Sequence, residues 1–165
     1  MAHTPKKALR LPVSYRRARA HDFVPLSHLV RESWPVDMRD QVDDILKDAL
    51  ANPDSTAIFA CFLNNDAIGY AQVCIRNEYV EGATNYPIAY LEALYIKEGF
   101  RDLGIGQRLI EMVTMYVNAM GIEELAADCP SNDLHQFELF LRSGFEEISQ
   151  VTHFVKSIPM ATRRS

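Results

Sequence analysis

The chain has 165 residues, of which 48% are hydrophobic and 24% are charged, a composition typical of one soluble globular domain. Its three cysteines form no CxxC pair and have no histidine at zinc spacing, which argues against a disulfide framework or a metal site. No apolar stretch approaches the ~20 residues that span a bilayer, and no apolar segment follows the basic start as in a secretory signal. We therefore expect a cytoplasmic protein without a membrane partner.

The net charge of −5 conceals an acidic body. All 22 acidic residues lie within residues 21–155, together with only eight of the 17 Lys and Arg residues, which gives this segment a formal charge of −14. Such a surface repels nucleic acid and attracts cations, so we expect no nucleic-acid partner and a positive charge on any charged small partner. The alternative is acidity that only aids solubility.

The first predicted elements are a strand and two helices. Residues 12–19 have the composition of a strand, and Asp22 is placed to cap a helix that ends at Trp34, before a proline. A second helix follows and ends at Asn52, also before a proline. Its apolar face has helical spacing and consists of Val42, Ile45, Leu46 and Leu50.

Three strands are predicted next. Residues 56–63 and 67–79 are rich in strand formers and enclose a turn of Asn64, Asn65 and Asp66, so they predict a hairpin. Residues 88–97 predict another strand.

The second half alternates between helices and strands. Apolar residues return to helical spacing from Ile105, and Gly121 is placed to end that helix. Residues 122–128 predict a short strand, residues 132–142 a helix, and residues 145–158 one or two more strands.

This order of elements predicts an α/β fold with three layers. Strands joined first by hairpins and later by helices form a mixed β-sheet flanked by helices. We interpret residues 11–158 as this single domain, residues 1–10 as a flexible basic tail and residues 159–165 as a basic C-terminal tail.

A glycine-containing turn before the third helix is the most informative local feature. It reads Arg101-Asp102-Leu103-Gly104-Ile105-Gly106. Backbone N–H groups and the positive end of a helix dipole at such a turn can hold a phosphate. The turn is not a dinucleotide fingerprint, because Leu109 replaces the third glycine, and no Gly-Lys-Ser/Thr follows as in a P-loop. Taken alone, two glycines at the start of a helix are more often a tight turn than a ligand site.

About forty residues after this turn comes a second motif, Phe140-Leu141-Arg142-Ser143-Gly144-Phe145. In this order the two motifs resemble the acyl-CoA pyrophosphate loop and the helix-to-strand element of the GCN5-related N-acetyltransferases. The strings IRNEYVEG at residues 75–82, YLEALYI at residues 90–96 and AAD at residues 126–128 are similar to those of the aminoglycoside 6′-N-acetyltransferase branch.

The resemblance implies a GCN5-related N-acetyltransferase fold, acetyl-CoA as co-substrate and no metal. The implied reaction is direct attack of the 6′-amine of an aminoglycoside on the thioester. Relatives are commonly dimers, which implies a homodimer, and the strand formers of residues 151–155 are candidates for its interface. The implied cofactor contacts are Leu94, Tyr95, Ile96, Arg101, Asp102, Leu103, Gly104, Ile105, Gly106, Gln107 and Asp133. The implied acceptor contacts are Trp34, Tyr79, Glu92 and Asp128.

Four residues depart from the pattern of the family, and the first, Ala93, replaces the usual glycine of the branch's LEG string. Asp133 stands at a cofactor position that is often asparagine, and Ser149 stands where relatives place an acid that reaches the aminoglycoside. Phe140 replaces a tyrosine that many members have to protonate the leaving thiolate. Water or another group must then supply that proton, or the thiolate leaves as the anion.

Glu92 and Asp128 are the catalytic candidates, because acyl transfer to an amine requires a proton acceptor near the nitrogen. Glu92 is a carboxylate among apolar strand neighbours of the same parity, including Leu94 and Ile96. Its alternative role is a cross-strand partner of Arg76. Asp128 ends a strand, where ligands often approach such sheets, and its alternative role is a cap or turn acid.

Two other functions remain open. One is acetylation of a different cationic amine, such as a polyamine or a protein N-terminus. The other is a non-catalytic acyl-CoA-binding module, against which two acids at the acceptor end argue.

Overall fold

The computed structural model describes residues 12–158, so both predicted tails lie outside the described residues. In chain order the elements are β1 (Val13–Arg17), α1 (Phe23–Ser33), α2 (Val42–Ala51), β2 (Thr56–Leu63), β3 (Asp66–Arg76), β4 (Ile88–Ile96), α3 (Ile105–Ala119), β5 (Leu125–Ala127) and α4 (Leu134–Arg142). Short 3₁₀ turns precede α1 and α2 and follow β4. No helix in this part of the chain is both long and apolar enough to cross a bilayer.

The five strands form one mixed sheet in the order β1-β2-β3-β4-β5. The strands β1 to β4 pair with one another antiparallel, and β5 pairs with β4 in parallel. Buried side chains of α1 and α2 cover one face of the sheet, and those of α3 cover the other together with Phe140 of α4. The predicted three-layer α/β arrangement is confirmed.

The predicted hairpin is also confirmed. β2 has the bounds expected from its continuous apolar run, whose residues 57–62 are buried because helices cover both faces of the sheet. Asn64 takes the left-handed conformation in the turn, with φ 56°. β3 ends at Arg76 rather than at residue 79.

Asp22 has a different role from the predicted helix cap. Its carboxylate makes no side-chain cap to α1. It accepts the backbone N–H of Arg19 at 2.9 Å and both terminal nitrogens of Arg16 at 2.6 Å. These hydrogen bonds, first of all those from Arg16, outweigh burial and lower the pKa of Asp22. The buried acid therefore ties β1 to the turn before α1.

The prediction of strands in residues 145–158 is wrong for the single chain. The structure has no strand among the described residues after α4. The side chains of Val151, Phe154, Val155 and Ile158 are 70–97% exposed there. Strand propensity reflects packing against partners, and this segment has no neighbouring strand to pair with.

A β-bulge in β4 controls the direction of Glu92. Gln72 of β3 pairs with Ala93, whereas Val73 pairs with Leu91, so Glu92 is the extra residue on β4. The bulge breaks the alternation of faces, because Leu91 and Leu94 both pack against the core on the α3 side. The sequence argument that put Glu92 on the same face of β4 as Leu94 and Ile96 therefore does not hold across the bulge.

Candidate active site

The strand β4 has an open edge next to the bulge. β5 pairs with β4 only through residues 89–91, whereas β4 pairs with β3 as far as Ile96. Beyond Leu91, the edge of β4 that faces β5 therefore has no strand partner among the described residues. A cavity of about 300 Å³ lies beside this stretch, between the end of β4, the first turn of α3 and one face of α4. An extended ligand can bind such an edge through main-chain hydrogen bonds.

The cavity collects nearly all the residues predicted to contact a cofactor. Its lining includes Leu94, Tyr95, Ile96, Arg101, Asp102, Gly104, Ile105, Gly106, Gln107 and Asp133. Leu103 is the exception, because it does not line the cavity and its side chain is 55% exposed. The left-handed residues on either side of it, Asp102 at φ 61° and Gly104 at φ 79°, turn the loop sharply at this point.

The start of α3 has the geometry of an anion site. The first intrahelical bond runs from the N–H of Arg108 to the carbonyl of Gly104 at 3.0 Å, so the amides of residues 105–107 precede it. The first turn carries no acidic side chain to compensate the helix dipole. A Cβ on Gly106 would lie 2.8 Å from Cδ2 of Leu139, so glycine allows α3 and α4 to approach closely here.

The helix α4 contributes lining residues that the sequence argument missed. His135, Leu139 and Arg142 line the cavity and follow the i, i+4, i+7 spacing of one helix face, the signal that would have found them. Phe100 and Gln136 line it as well. Nε2 of His135 lies 3.6 Å from Oδ1 of Asp102.

Asp133 is the N-cap of α4. Its Oδ1 accepts the backbone N–H of Gln136 at 3.0 Å. Aspartate and asparagine cap helices equally well, which gives a physical reason why either residue fits this position.

The two predicted catalytic acids lie at the other end of the open edge. Leu91 pairs with Ala127 in the parallel ladder, so Glu92 and Asp128 are the next residues on neighbouring strands. Burial, followed by the nearby Asp128, raises the pKa of Tyr90 on the same part of β4. The two carboxylates and this tyrosine therefore share one corner of the sheet.

Arg76 pairs with Glu92, as the alternative role of Glu92 requires. Its guanidinium donates to Oε1 of Glu92 through Nε at 3.1 Å and through Nη2, and the thiol of Cys74 donates to the same oxygen at 2.7 Å. The sequence argument missed Cys74, although residues 74 and 76 point to the same face of β3. The pair does not remove Glu92 from solvent, since its side chain is still 31% exposed.

The structure does not bring Trp34 and Tyr79 into hydrogen-bonding contact with these acids. Trp34 follows α1 and is half-buried against the core of the α1–α2 face. Tyr79 is 78% exposed, and its hydroxyl donates to Glu81 at 2.6 Å. Within residues 12–158, no group of three or more His, Cys, Asp or Glu side chains is placed to hold a metal ion.

Comparison with known proteins identifies the family. Residues 22–145 match the model of the acetyltransferase (GNAT) family. The chain belongs to this family. An aminoglycoside N(6′)-acetyltransferase type 1 of Serratia marcescens is 31% identical over 125 residues, which cover 76% of this chain and 86% of that protein. A protein of the same name from Stenotrophomonas maltophilia is 29% identical over 139 residues, covering 84% and 90%.

The comparison with solved structures supports the same family as the sequence matches. AAC(6′)-Iy in complex with the bisubstrate analogue CoA-S-monomethyl-acetylneamine has a TM-score of 0.80 and 25% identity to this acetyltransferase, covering 88% of this chain and 99% of that one. The similarity confirms the GNAT fold. Together with the sequence matches, it places this acetyltransferase in the aminoglycoside 6′-N-acetyltransferase branch.

Proposed function

We propose that this acetyltransferase transfers an acetyl group from acetyl-CoA to the 6′-amine of an aminoglycoside. The observation that carries the proposal is the open edge of β4, which has the amides at the start of α3 near one end and Glu92 with Asp128 at the other. The relatives' names and the bisubstrate complex of AAC(6′)-Iy support the same donor and acceptor.

Two parts of acetyl-CoA suit two parts of the cavity. The pantetheine arm is an extended chain with two amides, so it suits the edge of β4 at residues 94–96, where no strand pairs and Nε of Arg101 donates to the carbonyl of Ile96. The pyrophosphate suits the amides of residues 105–107 and the positive end of α3. The thioester then lies toward the bulge, next to Glu92.

The reaction needs one proton acceptor at that point. The ammonium of the acceptor loses a proton to Glu92, and the freed nitrogen lone pair forms a C–N bond to the acetyl carbon. The nitrogen then carries one proton more than the amide, and it loses that proton to water. The C–S bond breaks, and its electron pair leaves on the sulfur of CoA, which takes a proton from water. The net products are the acetamide, CoA with a free thiol, and one proton. Phe140 is buried and has no proton to donate.

The charge of the protein suits a polycationic acceptor. The acidic body attracts the drug, and Asp128 is placed to hold a further ammonium near Glu92. Each transfer removes one positive charge from the drug and weakens its hold on RNA phosphates, the basis of antibiotic resistance. We place the enzyme in the cytoplasm, where acetyl-CoA is available, with neither nucleic acid nor a membrane as its partner.

We also propose that the enzyme is a homodimer. The support is the exposed apolar segment of residues 151–158, whose strand-forming side chains suit pairing with a second copy. Sedimentation equilibrium of the full chain should give twice the protomer mass of 18.8 kDa. Phe154→Glu should give the protomer mass, whereas Met115→Glu, at an exposed site on α3, should leave the dimer intact. A wild-type protomer would contradict the proposal.

The activity is tested by following free thiol with acetyl-CoA and a panel of amines. We expect rapid thiol release with aminoglycosides, and slow release with spermidine and with peptides that have a free N-terminus. Faster turnover of spermidine or of the peptides would favour a different acceptor. Binding of acetyl-CoA with no release of CoA thiol in the presence of any of the amines would favour a non-catalytic module.

A further inference from the structure

Hydrogen bonds converge on one oxygen of the Glu92 carboxylate. Cys74 and Arg76 both donate to Oε1. Among the described residues, no hydrogen bond reaches Oε2, although the side chain remains 31% exposed. The protein therefore holds one oxygen with donors and leaves the other without one, on a side chain that solvent reaches.

The two donors are themselves held in place. Cys74 pairs directly with Tyr90 across the β3–β4 ladder, in a stretch that continues to Arg76 without a shift of register. The guanidinium carbon of Arg76 lies 3.7 Å from the centroid of the Tyr90 ring. The arginine therefore has a fixed position that does not depend on Glu92 alone.

Both donors keep their protons at neutral pH. Burial, followed by the hydrogen bond to Glu92, raises the pKa of the Cys74 thiol to about 11. Burial is the largest single effect and lowers the pKa of Arg76, but the hydrogen bonds and charge interactions with Glu92 and Cys74 together outweigh it, so the net pKa is raised. Oε1 is thus bound by donors throughout the pH range in which an amine acceptor reacts.

We propose that Cys74 and Arg76 are positioning residues that fix Oε1 of Glu92 and thereby aim Oε2 at the reacting amine. The inference rests on the proposed function, in which Glu92 takes the proton that the ammonium nitrogen loses. A carboxylate without these donors rotates between orientations, so turnover at saturation falls. Its charge still attracts the acceptor, so the acceptor KM changes less.

Single variants test the proposal with a kanamycin-type acceptor that has a 6′-amine. Cys74→Ala should lower kcat by about tenfold, the effect of one lost hydrogen bond to a charged group. Cys74→Ser should restore most of it, because the hydroxyl donates to the same oxygen. Arg76→Gln should lower kcat by more than Cys74→Ala does. Arg76→Lys should restore only part of that kcat, since an ammonium lacks the planar fork of a guanidinium.

Arg17→Gln is the matched control for the arginine. The Arg17 guanidinium lies 5.0 Å from the centroid of the Tyr116 ring, on the outer strand β1, so the change removes another stacked cation far from Glu92. Its kcat and acceptor KM should match those of the wild type. Melting temperatures of all variants separate loss of folded protein from loss of turnover.

A double-mutant cycle is the decisive readout. In the Glu92→Gln background, adding Cys74→Ala should change kcat by less than about twofold, because the carboxylate that it positions is gone. Equal effects in both backgrounds would overturn the proposal. So would a Cys74→Ala enzyme with a lower melting temperature and the wild-type kcat. Arg76→Gln with unchanged kcat and a lower acceptor KM would also overturn it, by showing that Arg76 competes with the acceptor.

These outcomes are distinct from failure of the proposed function. If the wild-type enzyme does not turn over the 6′-amine drug, the proposed function is wrong and the inference falls with it. If the wild type is active and the cycle shows no coupling, only the inference is wrong.

Discussion

Glu92 and Asp128 leave neighbouring parallel strands at the same level, one residue beyond the pair Leu91 and Ala127. That level is also where β5 ends and the open edge of β4 begins. The two acids therefore meet at the point where an extended cofactor bound along β4 would present its thioester. This position suits two roles: Glu92 accepts a proton from the reacting amine, and Asp128 holds a further ammonium group of the acceptor.

Conservative changes of the two acids should separate these roles. Glu92→Gln keeps the shape and removes the base, so kcat should fall by roughly 10²-fold or more with a smaller change in acceptor KM. Asp128→Asn should mainly raise the acceptor KM. Asp44→Asn, on α2 with a side chain 90% exposed, is the control and should change both constants little. Unchanged kinetics in both acid variants would refute the acceptor site.

Salt should weaken acceptor binding. Several ammonium groups meet several carboxylates at partly exposed positions, so screening raises the acceptor KM by several-fold between about 0.05 M and about 0.5 M salt. Steady-state kinetics at saturating acetyl-CoA measures this. Asp128→Asn should show a shallower dependence. A wild-type acceptor KM that is independent of salt would argue against an acidic site.

The glycine loop is tested by two alanines. Gly104 and Gly121 both have φ above +70°, and each has open space where a Cβ would stand, so alanine costs each a similar strain of roughly 1 kcal/mol. Only Gly104 lines the cavity, so Gly104→Ala should raise the KM for acetyl-CoA. Gly121→Ala, at the other end of α3, should lower the melting temperature equally and leave that KM unchanged. Equal KM values in the two variants would show that the loop is not the phosphate site.

The pair of Arg16 and Asp22 should give a pH-dependent stability. The pKa of Asp22 is lowered in the fold, first by the hydrogen bond to Arg16, so its contribution is present above the unfolded pKa near 3.8. That contribution is lost as the pH falls through the folded pKa. Urea unfolding should therefore show Asp22→Asn less stable than wild type at neutral pH, with the difference shrinking below about pH 4. A constant difference at all pH values would contradict the assignment.

Much of the fold could be predicted because its signals are local. β2 has a continuous apolar run, and Gly121 takes φ 73° after α3 as its position predicts. The glycine turn could be located for the same reason, since Gly104 directly precedes an amphipathic helix. The bulge at Glu92 and the thiol of Cys74 were not predicted, because they depend on the register between β3 and β4.

The C-terminal segment shows that a local pattern can also predict an element that the single chain does not form. Residues 151–155 have strand-forming side chains, but a strand also needs a partner, which no local pattern supplies. Leu103 was assigned to the cofactor site by its place in the motif, while its orientation depends on the two left-handed residues beside it.

The most direct test compares two acceptors that differ only at position 6′. One is a kanamycin-type drug with a 6′-amine, and the other is its analogue with a 6′-hydroxyl. Thiol release is measured with each, and the position of the new acetyl group is read by NMR. We expect turnover of the amine alone, with the amide at the 6′ nitrogen. Equal turnover of both drugs, or acetylation of a different amine, would contradict the account.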